Sequence, residues 1–166
     1  MLCCCQACAV LFDNNHDGSY RLVPTRSRQL TTSVFSISDA QWDALQIPIG
    51  IAFFFKCTPQ SRVVALYPGP AGTTESQLDL SEWEELQADN SVLSDLKPDV
   101  EALLVNRIDG AREYYLVPID QCYALAGIIR TRWQGLRGGP EAGVAIRAFF
   151  TSLQTGTRMP EMGFHA

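Results

Sequence analysis

Histidine is scarce in this chain, with His16 and His165 the only two among 166 residues. Any Cys-His or Ser-His nucleophile would have to recruit one of them, and neither stands in a recognisable catalytic context. Long apolar runs are also missing. The best one reaches Lys56 after about nine residues, half of what a membrane-crossing helix needs. The opening Met1-Leu2-Cys3 has no basic n-region, so it does not read as a secretory signal and a cytoplasmic location is expected. Positive charge is in deficit too: a net charge of −5 argues against a nucleic-acid surface. Arg130, Arg132 and Arg137 near Trp133 read as a solvated helix end. A phosphate loop is likewise absent. Pro68-Gly69-Pro70-Ala71-Gly72-Thr73-Thr74 follows a strand as such a loop would, but it carries no lysine, and its two prolines remove amide donors. A plain loop is expected there.

The content that remains is that of a folded protein, with 46% hydrophobic and 19% charged residues. A chain this long buries roughly 70% of its unfolded surface and needs no covalent staple. The organising stretch is Ile47 to Ser76. Ile49 to Cys57 and Arg62 to Tyr67 are rich in β-branched and aromatic residues, and Thr58-Pro59-Gln60-Ser61 supplies a turn between them. Folding on that turn pairs Phe55 with Val64, Phe54 with Ala65 and Phe53 with Leu66. Ile51, Phe53 and Phe55 then face one way, Ala52 and Phe54 the other. A strand pair apolar on both faces belongs in the middle of a sheet that is covered on each side.

Around this centre, Tyr20 to Val23 and Thr32 to Ile37 read as short strands, with a polar loop from Thr25 to Thr31. Ser38-Asp39-Ala40-Gln41 and Ser81-Glu82-Trp83-Glu84 have the form of capping boxes, each opening a short helix with an early tryptophan. Asp109-Gly110 signals a two-residue hairpin turn between Val100–Ile108 and Ala111–Val117, pairing Val105 with Tyr114 and Leu104 with Tyr115. The same register sets Arg107 opposite Arg112. Like charges face to face call for a carboxylate, a bound anion, a bulge or plain solvation at the hairpin end, so Arg107 and Arg112 are candidate anion-binding residues. Two amphipathic helices close the chain. Cys122, Leu125, Ala126, Ile129 and Trp133 form one inward stripe, and Ile146, Phe149, Phe150 and Leu153 the other. The fold class expected is α+β: a mainly antiparallel sheet of hairpins covered by short helices and two C-terminal amphipathic helices. Residues 1–19 form a cysteine-containing segment, 20–154 a single α+β domain, and 155–166 a loose tail.

Six cysteines without an export signal point to reduced thiols. Cys57 and Cys122 lie on apolar faces and read as small buried hydrophobes. Cys3, Cys4, Cys5 and Cys8 are the dense cluster, and Cys5-Gln6-Ala7-Cys8 has the spacing at which two thiolates grip one tetrahedral metal, usually zinc. A closed site needs four ligands. Cys3 and His16 are the candidates to join Cys5 and Cys8, or two chains share one ion across a homodimer. A redox pair and an inert cluster are the competing readings.

Several segments together, CCCQACAVLF, YRLVPTR, IPIGIAFFF, VVALYPGPAGTTES, DVEALLVNR and REYYLVPIDQCYALAGIIRTRW, resemble an uncharacterised bacterial family. Its genes often lie beside those of [NiFe] hydrogenases. Members carry a CxxC and a histidine segment ahead of a CxC-x2-C stretch; Cys3, Cys5 and Cys8 match the second half, Cys4 is extra, and the chain begins at Met1 without the first half. The resemblance implies a metal knuckle that is truncated here, which weakens His16 as a native ligand. It also implies a non-catalytic accessory protein that docks onto a hydrogenase subunit or a maturation factor. The alternatives are a small thiol redox protein using Cys5 and Cys8, and an anion-binding or small-ligand module.

Overall fold

The computed structural model describes residues 21–76, 80–134 and 139–156. Its centre is the strand pair that the sequence singles out. β2 (Ile51–Cys57) and β3 (Arg62–Gly69) pair antiparallel with Phe53 opposite Leu66, Phe54 opposite Ala65 and Phe55 opposite Val64. Around them the described residues add β1 (Arg28–Leu30), β4 (Gly72–Glu75), β5 (Glu101–Asn106) and β6 (Glu113–Pro118). The sheet is antiparallel throughout, in the order β1-β6-β5-β2-β3-β4.

The alternation of side chains along β2 divides the core in two. On one face Ala52 and Phe54 join Val63, Ala65, Leu103, Val105, Tyr114 and Leu116 under α1 (Asp39–Ala44) and α2 (Leu80–Asp89). Trp83 of α2 stacks on Phe54 with ring centroids 5.6 Å apart. On the other face Ile51, Phe53 and Phe55 join Val64, Leu104, Tyr115 and Val117 under α3 (Ile119–Arg132) and α4 (Gly139–Thr155). The stripes expected on these two helices are the ones that pack: Cys122, Leu125, Ala126 and Ile129 are buried on α3, and Ile146, Phe149 and Phe150 on α4. The α+β class therefore holds, with the C-terminal helices on one face of an antiparallel sheet.

Local boundaries differ where a tertiary contact overrides the local pattern. No strand forms at 21–23 or 32–37; the edge strand is β1, inside the stretch expected to be a polar loop. Residues 32–37 are diverted because Asn90 captures Ser36. The Asn90 carbonyl oxygen accepts from the Ser36 N–H at 2.9 Å, and its amide donates to the Ser36 carbonyl at 3.2 Å. Ser36 thus meets an amide side chain where a strand would meet a neighbouring strand. Phe35 and Ile37 are nonetheless buried, so the apolar signal was a core signal rather than a strand signal. The Pro68 to Thr74 segment is also no plain loop. Gly69 pairs with Gly72 and Pro68 with Thr73, so Pro70-Ala71 is a tight turn into the edge strand β4, with Gly72 at φ 114°. Ser38 caps α1 as a full capping box, whereas Ser81 lies inside α2, which already includes Leu80.

The β5–β6 turn is longer than two residues. The ladder stops at Asn106 opposite Glu113, and Ile108–Gly110 forms a 3-10 turn with Asp109 at φ 54°. Arg107 leaves the ladder because its N–H donates to the Gly50 carbonyl at 2.6 Å. A Cβ on Gly50 would sit 2.8 Å from the Ile108 nitrogen and 2.9 Å from the Arg107 carbonyl carbon, so this close approach requires glycine.

Candidate functional site

The two arginines at the β5–β6 tip converge on one carboxylate. The capping box fixes the start of α1 and projects Asp39 from its first turn, where a negative charge suits the helix dipole. Asp39 accepts hydrogen bonds from Arg107, and from Arg112 at 2.8 and 3.0 Å. Arg107 is the anchored member: its side chain is 9% exposed, it donates to the Ser38 carbonyl at 3.2 Å, and its guanidinium lies 5.3 Å from the centre of the Trp42 ring. Arg112 and Asp39 stand in solvent. The hydrogen bond from Arg112, then the charges of both arginines, hold the Asp39 carboxyl below the usual carboxylate range, against a contrary pull from desolvation. The same bond raises the Arg112 guanidinium. A protein carboxylate thus occupies the position that the like-charge pair reserves for an anion. An external anion would have to share or displace Asp39. Guanidiniums stay protonated near neutral pH, so the two arginines can bind and position a group but do not serve as an acid or base.

The proposed metal ligands Cys3, Cys5, Cys8 and His16 lie outside the described residues. Among the described residues no three His, Cys, Asp or Glu side chains are grouped to hold a metal ion. Of the cysteines that are described, Cys122 is fully buried, and burial pushes its thiol well above the ordinary range, with the Asp120 charge adding to the effect. Cys57 is half-buried against the same core. Cys122 is therefore a packing residue rather than a nucleophile.

Two concavities lie away from the arginine pair. One, of about 410 Å³, runs between α3 and α4 with Ile128, Val144, Ala145 and Ala148 in its walls and Arg132 and Glu141 among its lining. Val144 is 59% exposed there. The other, of about 420 Å³, opens where the 23–27 segment passes the start of α3 and the end of α4. Pro24, Arg26, Pro118, Asp120, Ser152 and Leu153 contribute to its walls. Asp120 Oδ1 is shielded from water and has no hydrogen-bond partner among the described residues. Sequence reasoning passed over Asp120, because an acidic residue in a first helical turn is ordinary; what sets it apart is the missing partner, which no local pattern encodes.

The arrangement defines a class of protein: an antiparallel sheet sealed on both faces by helices. Within that class, the chain belongs to a family of unknown function, DUF5947, whose model matches residues 1–157. Comparison with curated proteins and with solved structures finds no match. No helix among the described residues is long and apolar enough to cross a membrane.

Proposed function

We infer that this protein is a non-catalytic accessory factor of a [NiFe] hydrogenase, working in its maturation, assembly or use by docking onto a hydrogenase subunit or a maturation factor in the cytoplasm. The observation that supports docking is the α3–α4 groove. Apolar side chains stay exposed there between one basic and one acidic residue, the composition of a small interface core with a polar rim. The resemblance of the chain to proteins encoded beside hydrogenase genes supplies the partner. Cys3, Cys5 and Cys8, joined by His16 or by a second chain, would supply the ligands of a zinc knuckle.

The test is a binding titration of the full chain against each purified hydrogenase subunit and maturation factor, with Val144→Asp and Cys5→Ser/Cys8→Ser variants in parallel. Placing a carboxylate in the groove should weaken a real complex at least tenfold while leaving the fold intact. Absence of binding to every one of these proteins, or equal binding by Val144→Asp, would sink the docking reading. Elemental analysis decides the knuckle separately: one zinc per chain, or one per two chains, is expected, and is lost in the double-serine variant.

A further inference from the structure

The α3–α4 groove carries a charge pattern that its own chain leaves unused. Arg132 closes the last turn of α3, Glu141 lies in the first turn of α4, and the connection 133–138 between them is short. The two helices therefore run antiparallel, with both charges at one end of the groove and on opposite walls. Both are exposed, and neither makes a salt bridge among the described residues. Counting one turn at a time from that end, Ile128 stands level with Val144 and Ala145, and Ala124 with Ala148. Beyond the charges the groove is thus an apolar strip in which Val144 is 59% exposed.

We propose that this groove is the surface through which two copies of the chain associate, each covering the other's apolar strip. A two-fold contact uses the same patch twice, so the patch must be its own complement. With the two-fold axis along the groove, α3 of one copy lies antiparallel on α4 of its partner, as in a four-helix bundle. Arg132 then meets the partner's Glu141, and Glu141 the partner's Arg132. Ile128 packs on the partner's Val144, and Ala124 on the partner's Ala148. A foreign protein would have to reproduce this pattern, whereas a second copy supplies it by symmetry. Two adjacent helices of 14 and 17 residues present a face of roughly 20 by 25 Å, or roughly 500 Å² on each copy. That is less than the about 800 Å² of a standard interface, so the dimer is weak and reversible, with a dissociation constant of about tens of micromolar. It hides the groove that the docking reading gives to a hydrogenase protein. As a control on docking it rests on that reading; as a property of the chain alone it does not.

Sedimentation equilibrium of the full chain from about 1 µM to about 1 mM tests the dimer by mass action. Reducing buffer, EDTA and a Cys5→Ser/Cys8→Ser background keep a shared metal or a disulfide from joining the copies. A monomer–dimer equilibrium is expected. Arg132→Glu leaves the patch with two acidic residues and Glu141→Arg with two basic ones, so each alone should weaken the dimer about tenfold or more. Mixing the two variants should restore association, because every glutamate then faces an arginine. A contact through any other surface does not predict that rescue. The double swap Arg132→Glu/Glu141→Arg should dimerise like the native chain, which keeps the test decisive if either single variant proves misfolded. Monomer throughout the range, a dimer indifferent to both single substitutions, or folded single variants that fail to associate on mixing would overturn the proposal. A chain that dimerises but binds no hydrogenase protein upholds this proposal and sinks docking; a strict monomer that binds one does the reverse.

Discussion

Replacing Asn90 by alanine tests the idea that one buried amide, rather than strand pairing, holds residues 32–37 against the sheet. Asn90 is 4% exposed and makes three hydrogen bonds: it accepts from the Ser36 N–H at 2.9 Å and donates to the carbonyls of Ser36 at 3.2 Å and Leu86 at 2.9 Å. A net contribution of about 1 kcal/mol for each bond gives about 3 kcal/mol for the set, and more if Ser36 is left unsatisfied in the interior. Water entering the vacated space would recover part of that, so the expected loss is about 2–4 kcal/mol. For a chain of this length that corresponds to a fall in melting temperature of roughly 5–15 °C. Urea unfolding at neutral pH is the assay, with the slope expected to stay unchanged while the midpoint moves. Asn90→Asp keeps the bond from the Ser36 N–H, loses both donors and buries a charge, so it should cost at least as much as alanine. A loss below about 1 kcal/mol for Asn90→Ala would show that the packing of Phe35 and Ile37 alone fixes the segment, and would refute the argument.

Gly50→Ala forces a Cβ onto the backbone of Arg107 and Ile108, so it should cost about 1–3 kcal/mol in the same assay; a neutral result would mean that the β5–β6 turn can move away freely. The Asp39 carboxyl is held below its ordinary value of 3.8, so its stabilising contribution is complete above the unfolded value, begins to fall as the pH drops past about 4, and is gone below the folded value. Asp39→Asn should therefore flatten the acid limb of a melting-temperature profile from pH 2 to 7, and an unchanged limb would refute the ion-pair account. Cys122 titrates in the opposite sense. Burial raises its thiol above the unfolded value of 9.0, so the neutral form stabilises below that value and the contribution is lost as the pH rises through the folded one. In a variant with Cys3, Cys4, Cys5 and Cys8 replaced by serine, a thiol reagent at neutral pH should modify Cys57 in the native state and Cys122 only on unfolding. Equal rates would overturn the burial assigned to Cys122.

What could be read from the sequence was whatever the chain repeats locally. The pairing of Phe54 with Ala65 followed from two apolar runs joined by a turn of fixed length. The pairing of Val105 with Tyr114 also came out correctly, although the turn between them did not. The register depends on the midpoint of the turn, and lengthening the loop equally on both sides leaves that midpoint at Asp109-Gly110. The capping box at Ser38 was legible as well. What it positions was not, because Asp39 finds Arg107 and Arg112 some seventy positions along the chain. β1 escaped notice because Arg28-Gln29-Leu30 turns only Leu30 into the core, so a three-residue edge strand looks like a polar loop. Asp120 escaped for the reason that makes it interesting: its oddity is an unmet hydrogen bond, and sequence patterns register the groups present rather than the partners missing.

A sheet whose two faces are both greasy must hide them both, and this one does so with helices on each side. That decides where recognition can occur. Neither face of β2 can meet a ligand without dismantling one of the two cores, which leaves strand ends, edges and outer helix surfaces. The β5–β6 hairpin carries polar groups at both of its ends: Arg107 and Arg112 at the tip, and Asp120 just beyond Pro118 at the base. Six residues of extended chain, Glu113–Pro118, separate the two, a span of roughly 17 Å. Groups that far apart, with no shared partner, act independently. A ligand at the base therefore has no direct route to Asp39 at the tip. The α3–α4 groove faces outward from a third position and depends on neither.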